Sequence, residues 1–314
     1  MAILSVRDEA HWHELRAKHI GGSDVAALFG LSSFSTRWQL WHEKSGNLPA
    51  EDLSNNKAVQ AGKFLEAGIA EWAAHLWDWK ISKVEEYHTA DDTPGMGATL
   101  DYALDTGIPL EIKWNCGFSG DWKYEGDTIV EAPEKYILQV QHQMACYAGD
   151  PDHAWLVVLI NNEPRRMKIP RHDGIIATIK QEVSEFWDSI ANKQEPDPDL
   201  ENDTDAIMRM IDTVPLTNVD LDPEDGHLFI RYLDASATEK LAKKAKDEAK
   251  NALLLKAKDK MEGANTALDK AVVKCGEHKM TITTVAANDG IEVTADMVGT
   301  RINQRSSYKR VSVS

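Results

Sequence analysis

Between Gly97 and Trp114 the chain reads GATLDYALDTGIPLEIKW, and this stretch holds the side chains best suited to chemistry. Asp101 is followed by Glu111, Ile112 and Lys113. A strand over Leu110 to Trp114 places Glu111 and Lys113 on one face and turns Leu110 and Ile112 toward a core. Gly107-Ile108-Pro109 signals a turn, so the segment around Asp101 pairs back as a hairpin and brings a second carboxylate to the same end. Two carboxylates, the backbone carbonyl of Ile112 and an ammonium group form a hard-oxygen site suited to Mg²⁺ or Mn²⁺. Such a site serves phosphodiester hydrolysis. The metal polarises the phosphoryl oxygen and lowers the pKa of a bound water, while Lys113 orients that water or offsets developing negative charge. A lone Glu-x-Lys on a strand is most often a solvated face with a weak ion pair. The upstream Asp and the apolar residue between Glu and Lys make this pattern more specific.

Asp-x9-Glu-x-Lys resembles the PD-(D/E)xK nuclease signature. Thr99-Leu100 stands before Asp101 where that signature has Pro, a mild departure because Pro contributes no ligand. Nearer the start, Asp8 to Lys18 reads as a short capped helix, followed by His19-Ile20-Gly21-Gly22-Ser23-Asp24. Ser23 or Asp24 then caps a second helix, Val25 to Phe29, whose free N–H groups favour an anion. The longer string IGGSDVAALFGLSSFSTRWQLWHEKSG resembles the opening of the YqaJ-type viral recombinase family, which includes lambda exonuclease. That resemblance implies that Arg16 and Ser23 hold the 5′-phosphate of a DNA end. Gly62-Lys63-Phe64-Leu65-Glu66 resembles the G-x-x-x-E element of the same family, which implies that Glu66 is a metal-site carboxylate or general base. Pro133-x-x-Tyr136-x-x-Gln139 resembles its P-x-x-Y-x-x-Q motif, implying that Tyr136 and Gln139 bracket the scissile phosphate. Gln143 shares the helix face of Tyr136 and Gln139.

Other elements must position these groups. Helices are expected over Trp38 to Lys44 and over Asn56 to Trp79, the latter from Val59, Phe64, Leu65, Ile69, Trp72 and Leu76 at three and four spacing. A further helix begins at Pro133, with Pro in its first turn. Cys116 to Val130 reads as a loop. Ala154 to Ile160 reads as a buried strand partnered by Met167 to Pro170, and Arg171-His172-Asp173 opens a helix running through Phe186-Trp187. Glu195-Pro-Asp-Pro-Asp-Leu200 breaks the chain. The expected fold is mixed α/β, with a restriction-endonuclease-like core of central mixed sheet and flanking helices over residues 1–200. A helical arm, hairpin and basic tail are expected over 201–314. There, Leu228 to Met261 reads as one long helix or an antiparallel pair without a sustained heptad. Val272 to Val285 and Ile291 onward read as strands around Asn288-Asp289-Gly290. Arg301 to Arg310, with Tyr308 interleaved, reads equally as a nucleic-acid contact or a soluble tail.

Composition narrows the classes. The 314 residues, 42% hydrophobic, are those of a globular protein, and the apolar run from Ala154 to Ile160 has strand rather than membrane-spanning length. Cys116, Cys146 and Cys275 lack a CxxC, which argues for a reducing cytoplasm, the expected location being a bacterial host cell. They are too few for a four-thiolate iron–sulfur cluster. There is no Walker loop, so action independent of ATP is expected. His11-Trp12-His13 does not have helical ligand spacing, which argues against zinc. Of the net −16, residues 240–314 contribute 15 Lys+Arg against 9 Asp+Glu, leaving the rest of the chain at −22. DNA binding must therefore rest on a local basic channel, metal ions and ordered contacts. The family resemblance implies a metal-dependent 5′→3′ exonuclease on linear double-stranded DNA that leaves 3′ overhangs for recombination. It also implies a ring trimer and a single-strand annealing protein as partner. The competing readings are a DNA-end or partner-binding module with weak catalysis, and a structure-specific or single-strand endonuclease on the same fold.

Overall fold

Alternation of side chains along two neighbouring strands sets the centre of this protein. The computed structural model describes residues 1–115, 121–262 and 270–283. In chain order it contains β1 (Ala2–Ser5), α1 (Glu9–Ala17), α2 (Val25–Leu28), α3 (Arg37–Lys44), α4 (Lys57–Trp77), β2 (Ile81–Lys83), β3 (Glu86–Thr89) and β4 (Gly97–Ala98). The central part follows as β5 (Tyr102–Leu104), β6 (Pro109–Trp114), β7 (Lys123–Glu125), β8 (Thr128–Glu131), α5 (Glu134–Cys146), β9 (His153–Ile160) and β10 (Glu163–Pro170). Then come α6 (Asp173–Ala191), α7 (Thr204–Asp212), α8 (Gly226–Met261), β11 (Lys270–Cys275) and β12 (His278–Thr283).

Seven strands form a mixed sheet in the order β2-β5-β6-β9-β10-β8-β7. The β5–β6 hairpin turns at Gly107, which has φ +80°, a backbone that Gly adopts without steric cost. β6 then runs parallel to β9, with Ile112 opposite Val157, and β10 returns antiparallel to β9 through Asn161-Asn162, both with positive φ. Leu110, Ile112 and Val157 face α4 and bury against Ile69, Ala70 and Ala73. Leu156 and Val158 face the other way, onto Val140 and Met144 of α5. Because both faces are covered, β9 reads as a continuous apolar run. A second core joins α2, α3, α5 and α6 around Ile20, Met96 and Phe186.

The expected mixed α/β architecture of a central sheet with flanking helices is present. Several details differ from expectation. Cys116 to Val130 is not all loop: β7 and β8 form there, with Trp122 and Ile129 buried as anchors, while Cys116 itself lies outside the described residues. On α4, Ile69 is buried with Ala70 and Ala73, but most of the large residues that mark the helix lie off its buried face. Phe64, Leu65, Trp72 and Leu76 are exposed, and Ala70 and Ala73 let the helix lie close to the sheet.

The first compact unit runs Met1–Leu216, past the expected boundary at residue 200. The reason is α7, whose Ala206, Ile207 and Met210 pack on Trp38 and Leu48, and whose N-cap residue Asp203 accepts from the Thr36 hydroxyl at 2.5 Å. The second unit, Thr217–Ser314, contains α8 as one helix and the β11–β12 hairpin. That hairpin turns at Gly276, so the strand expected through Val272–Val285 is broken in two. The expected turn at Asn288-Asp289-Gly290, the strand from Ile291 and the basic segment Arg301–Arg310 lie outside the described residues.

Candidate active site

On β6 the period of two sends Glu111 and Lys113 away from α4 and toward α5. Glu111 is buried and both its oxygens are engaged. Lys113 donates to Oε1, Gln139 Nε2 donates to the same oxygen at 2.5 Å, and Gln143 Nε2 donates to Oε2 at 2.6 Å. Gln143 also reaches the carbonyl of Thr99 at 3.2 Å, tying α5 to the segment that carries Asp101. The Asp101 carboxylate accepts the Ile112 N–H at 2.8 Å, so the hairpin closes with its two carboxylates side by side.

The electrostatics follow from this crowding. Burial raises the pKa of Asp101 well above the ordinary carboxylate range, and Glu111 and Glu66 push it the same way, against the opposing charge of Lys113. Burial alone would discharge Lys113. The charges of Glu111 and Asp101 more than offset that, and its pKa stands above the ordinary lysine value. Tyr136 lies beside it, with the Lys113 ammonium 5.9 Å from its ring centroid.

The end-binding candidates are built by the turn after α1. Ile20 is held against the start of β4, its N–H donating to Gly95 O at 2.7 Å and its carbonyl accepting from Gly97 N–H at 3.1 Å. Gly22 then passes so close to α5 that a Cβ there would lie 3.2 Å from Gln139 Cγ and 3.4 Å from Gln143 Cγ, which is why this position suits glycine. Arg16, stacked 4.9 Å from the Trp12 ring, donates to the Ser23 hydroxyl at 3.0 Å.

Ser23 and Asp24 do not cap α2 with their side chains, contrary to expectation. Asp24 already has helical backbone angles, and its carboxylate turns back to accept from Arg16 at 2.8 Å, Lys44 at 3.0 Å and the Gly21 N–H at 3.1 Å. Burial opposes its charge, but Lys44 and Arg16 dominate and hold its pKa below the ordinary value. Asp24 thus orients the guanidinium of Arg16 rather than the helix.

A cavity of about 510 Å³ and a smaller one of about 130 Å³ share Ser23, Asp101, Lys113 and Gln139 in their walls. Arg16 and Glu111 line the smaller, while Glu66, Ile112 and Tyr136 line the larger. Arg16, Ser23, Glu66, Asp101, Glu111, Ile112, Lys113, Tyr136 and Gln139 therefore line two adjoining cavities. The Glu66 carboxylate accepts from Lys83 at 3.2 Å. Among the described residues, no group of three or more His, Cys, Asp or Glu side chains converges as ligands. The candidate oxygen donors for a divalent cation are the Asp101–Glu111 pair and the Ile112 carbonyl, with Glu66 in the wall of the larger cavity beside Asp101 and Ile112. The pair fits Mg²⁺ or Mn²⁺ in chemical type. Both are hard oxygen donors, and the repulsion that drives a proton onto Asp101 is what a divalent cation relieves. Gln143, Asp24 and Lys44 belong to the constellation although the motifs do not assign them. The only sequence signal for Gln143 was its i+7 spacing from Tyr136.

Residues 11–150 match the model of the YqaJ-like viral recombinase domain. The chain is 30% identical over 195 residues to Uncharacterized protein YqaJ of Bacillus subtilis (strain 168), a similarity that takes in 60% of this chain and 58% of that protein. Among solved structures it is similar to the alkaline exonuclease LHK-Exo from Laribacter hongkongensis, at 22% identity and a TM-score of 0.45 over 59% of this chain and 93% of that one. It is also similar to SSO0001, at 12% identity and a TM-score of 0.37, over 68% of this chain and 90% of that one. Among the described residues, no helix is long and apolar enough to cross a membrane.

Proposed function

We propose that this protein is a Mg²⁺-dependent deoxyribonuclease, with Mn²⁺ able to substitute, that degrades linear double-stranded DNA from 5′ ends and leaves 3′ single-stranded overhangs for phage-type recombination. The observation that carries this reading is the meeting of two groups of side chains around the smaller cavity: the Asp101–Glu111–Lys113 cluster and the Arg16–Ser23 pair. A pocket for a terminal phosphate beside a hydrolytic centre defines an end-dependent nuclease. When bound, the metal supplies Lewis-acid stabilisation of charge on the phosphoryl group. Asp101, Glu111 and the Ile112 carbonyl would hold it, with Glu66 as a further metal-site carboxylate or general base. Gln139 and Gln143 fix the carboxylate of Glu111, Lys113 offsets negative charge developing on the phosphate, and Tyr136 positions the phosphate against it. A ring trimer and a single-strand annealing protein as partner belong to the same proposal, as does action without ATP.

The test compares 5′-phosphorylated and dephosphorylated linear duplexes. Loss of a charged hydrogen-bonded contact is worth about 2–3 kcal/mol, or roughly thirty- to a hundredfold in rate. The phosphorylated duplex is expected to be cut faster by about that factor, and Arg16→Ala should slow this substrate alone. Equal rates on both ends, attack from the 3′ end, or cleavage of closed circular DNA would overturn the assignment.

A further inference from the structure

Phe34 sits in the connection between α2 and α3 with 79% of its surface exposed, at the wall of the larger cavity. A single exposed Phe needs no explanation by itself. The way this one is held does. The Ser32 hydroxyl oxygen accepts the backbone N–H of Phe34 at 3.1 Å and that of Ser35 at 3.2 Å, pinning the loop from inside. Lys135, at the start of α5, donates to the Ser33 hydroxyl at 2.9 Å and lays its ammonium 4.7 Å from the Phe34 ring centroid. The same ammonium is 5.3 Å from the Tyr136 ring, whose other cationic neighbour is Lys113. Aromatic and cationic groups therefore alternate from the mouth of the cavity to the carboxylates, in the order Phe34, Lys135, Tyr136, Lys113. Among the described residues Lys135 makes no ion pair, whereas Arg16, Lys44, Lys83 and Lys113 are each paired to a carboxylate.

We infer that Phe34 is a stacking platform for one unpaired nucleobase of the strand entering the cavity, with Lys135 holding the adjoining backbone phosphate. The inference rests on the nuclease reading and adds a determinant to it. An aromatic face with a cation beside it is the arrangement that binds single-stranded nucleic acid without reading its sequence, because every base offers a π-face and every linkage a charge. Stacking also explains how an acidic protein engages DNA where most nearby cations are already neutralised. The strand follows the ladder, and each step toward Lys113 brings a phosphate nearer to Asp101 and Glu111.

The experiment pairs changes in protein and DNA. Binding of a 5′-phosphorylated linear duplex is followed by fluorescence anisotropy with the full chain at low salt and without divalent ions. Each of the first few nucleotides of the 5′-ended strand is replaced in turn by an abasic analogue. One such position is expected to weaken binding by the parent about tenfold, within the range for base stacking on an aromatic side chain. Phe34→Ala should weaken binding of intact DNA by the same factor, and the two changes together should cost no more than either. Phe34→Trp should retain the affinity and Phe34→Leu should not, which separates stacking from apolar contact. Additive losses, or a Phe34→Leu protein that binds like the parent, would overturn the stacking role and leave the hydrolase untouched. A parent that shows the whole pattern but never cuts in Mg²⁺ or Mn²⁺ would instead refute the nuclease reading while supporting the platform. A parent that binds no DNA would overturn both.

Discussion

Replacing Asp101 by Asn should abolish cleavage and at the same time stabilise the metal-free protein. The side chain keeps its shape, and an Asn oxygen can still accept the Ile112 N–H that Asp101 accepts at 2.8 Å. Only the charge goes, from a place where burial, Glu111 and Glu66 all disfavour it. A carboxyl whose pKa is raised on folding binds its proton more tightly in the native state than in the unfolded chain. Its presence therefore lowers stability progressively as pH rises from the ordinary value near 3.8 through the higher native value, and has no such effect below both. Each unit of displacement is worth about 1.4 kcal/mol. A net gain of about 1–2 kcal/mol, typical of relieving a destabilised active site, becomes roughly 3–6 °C in melting temperature for a unit of this size. Calorimetry in EDTA should find parent and Asp101→Asn melting together near pH 3.5 and separating toward pH 8, with the variant higher. Adding Mn²⁺ should raise the parent toward or past the variant, because only the parent has the full ligand pair. A variant that melts below the parent at pH 8 in EDTA, or a gap independent of pH, would refute the placement of the two carboxylates.

Two further predictions follow from the same geometry. Lys113→Ala should keep Mn²⁺ binding by calorimetry yet lose about 10²–10³ in turnover, the usual cost of removing one electrostatic stabiliser, and a loss confined to KM would count against its role. Truncation after Leu200 should lower the melting temperature or solubility, since it removes the α7 residues that cover Trp38 and Leu48, at a cost of about 2–4 kcal/mol typical of an emptied core contact. Truncation after Leu216 should keep the parent's melting transition for the first unit, and identical behaviour of the two truncations would show that α7 contributes no packing.

What was legible in the chain was whatever depends on local period. Glu111 and Lys113 share a face because strands alternate, and the hairpin that returns Asp101 needs only Gly107 and a few residues on either side. Residues brought together by distant elements were less so. Gln143 reaches Glu111 across 32 positions, and Lys44 reaches Asp24 across 20, by way of the packing of α3 against the turn after α1. A capping residue and a charge partner have the same one-letter code. Only the helical backbone of Asp24, fixed by the tertiary fold, decides which it becomes.

The buried face of α4 has the same physical root. Large apolar residues at helical spacing identify a helix, but the face that buries is set by how near the helix lies to its neighbour. On α4 the close approach selects Ala70 and Ala73 and leaves Trp72 and Leu76 at the flanks. Charge was hardest of all to read. Net acidity in the first 239 residues looks hostile to a phosphate backbone, yet the cations around the cavity are spent mostly on carboxylates that they orient: Arg16 and Lys44 on Asp24, Lys83 on Glu66, Lys113 on Glu111. The local field is thus close to neutral. On the proposed function, such a site would gain its hold on DNA from a divalent cation, a few directed donors and aromatic faces. It does not need the broad positive surface that composition would lead one to look for.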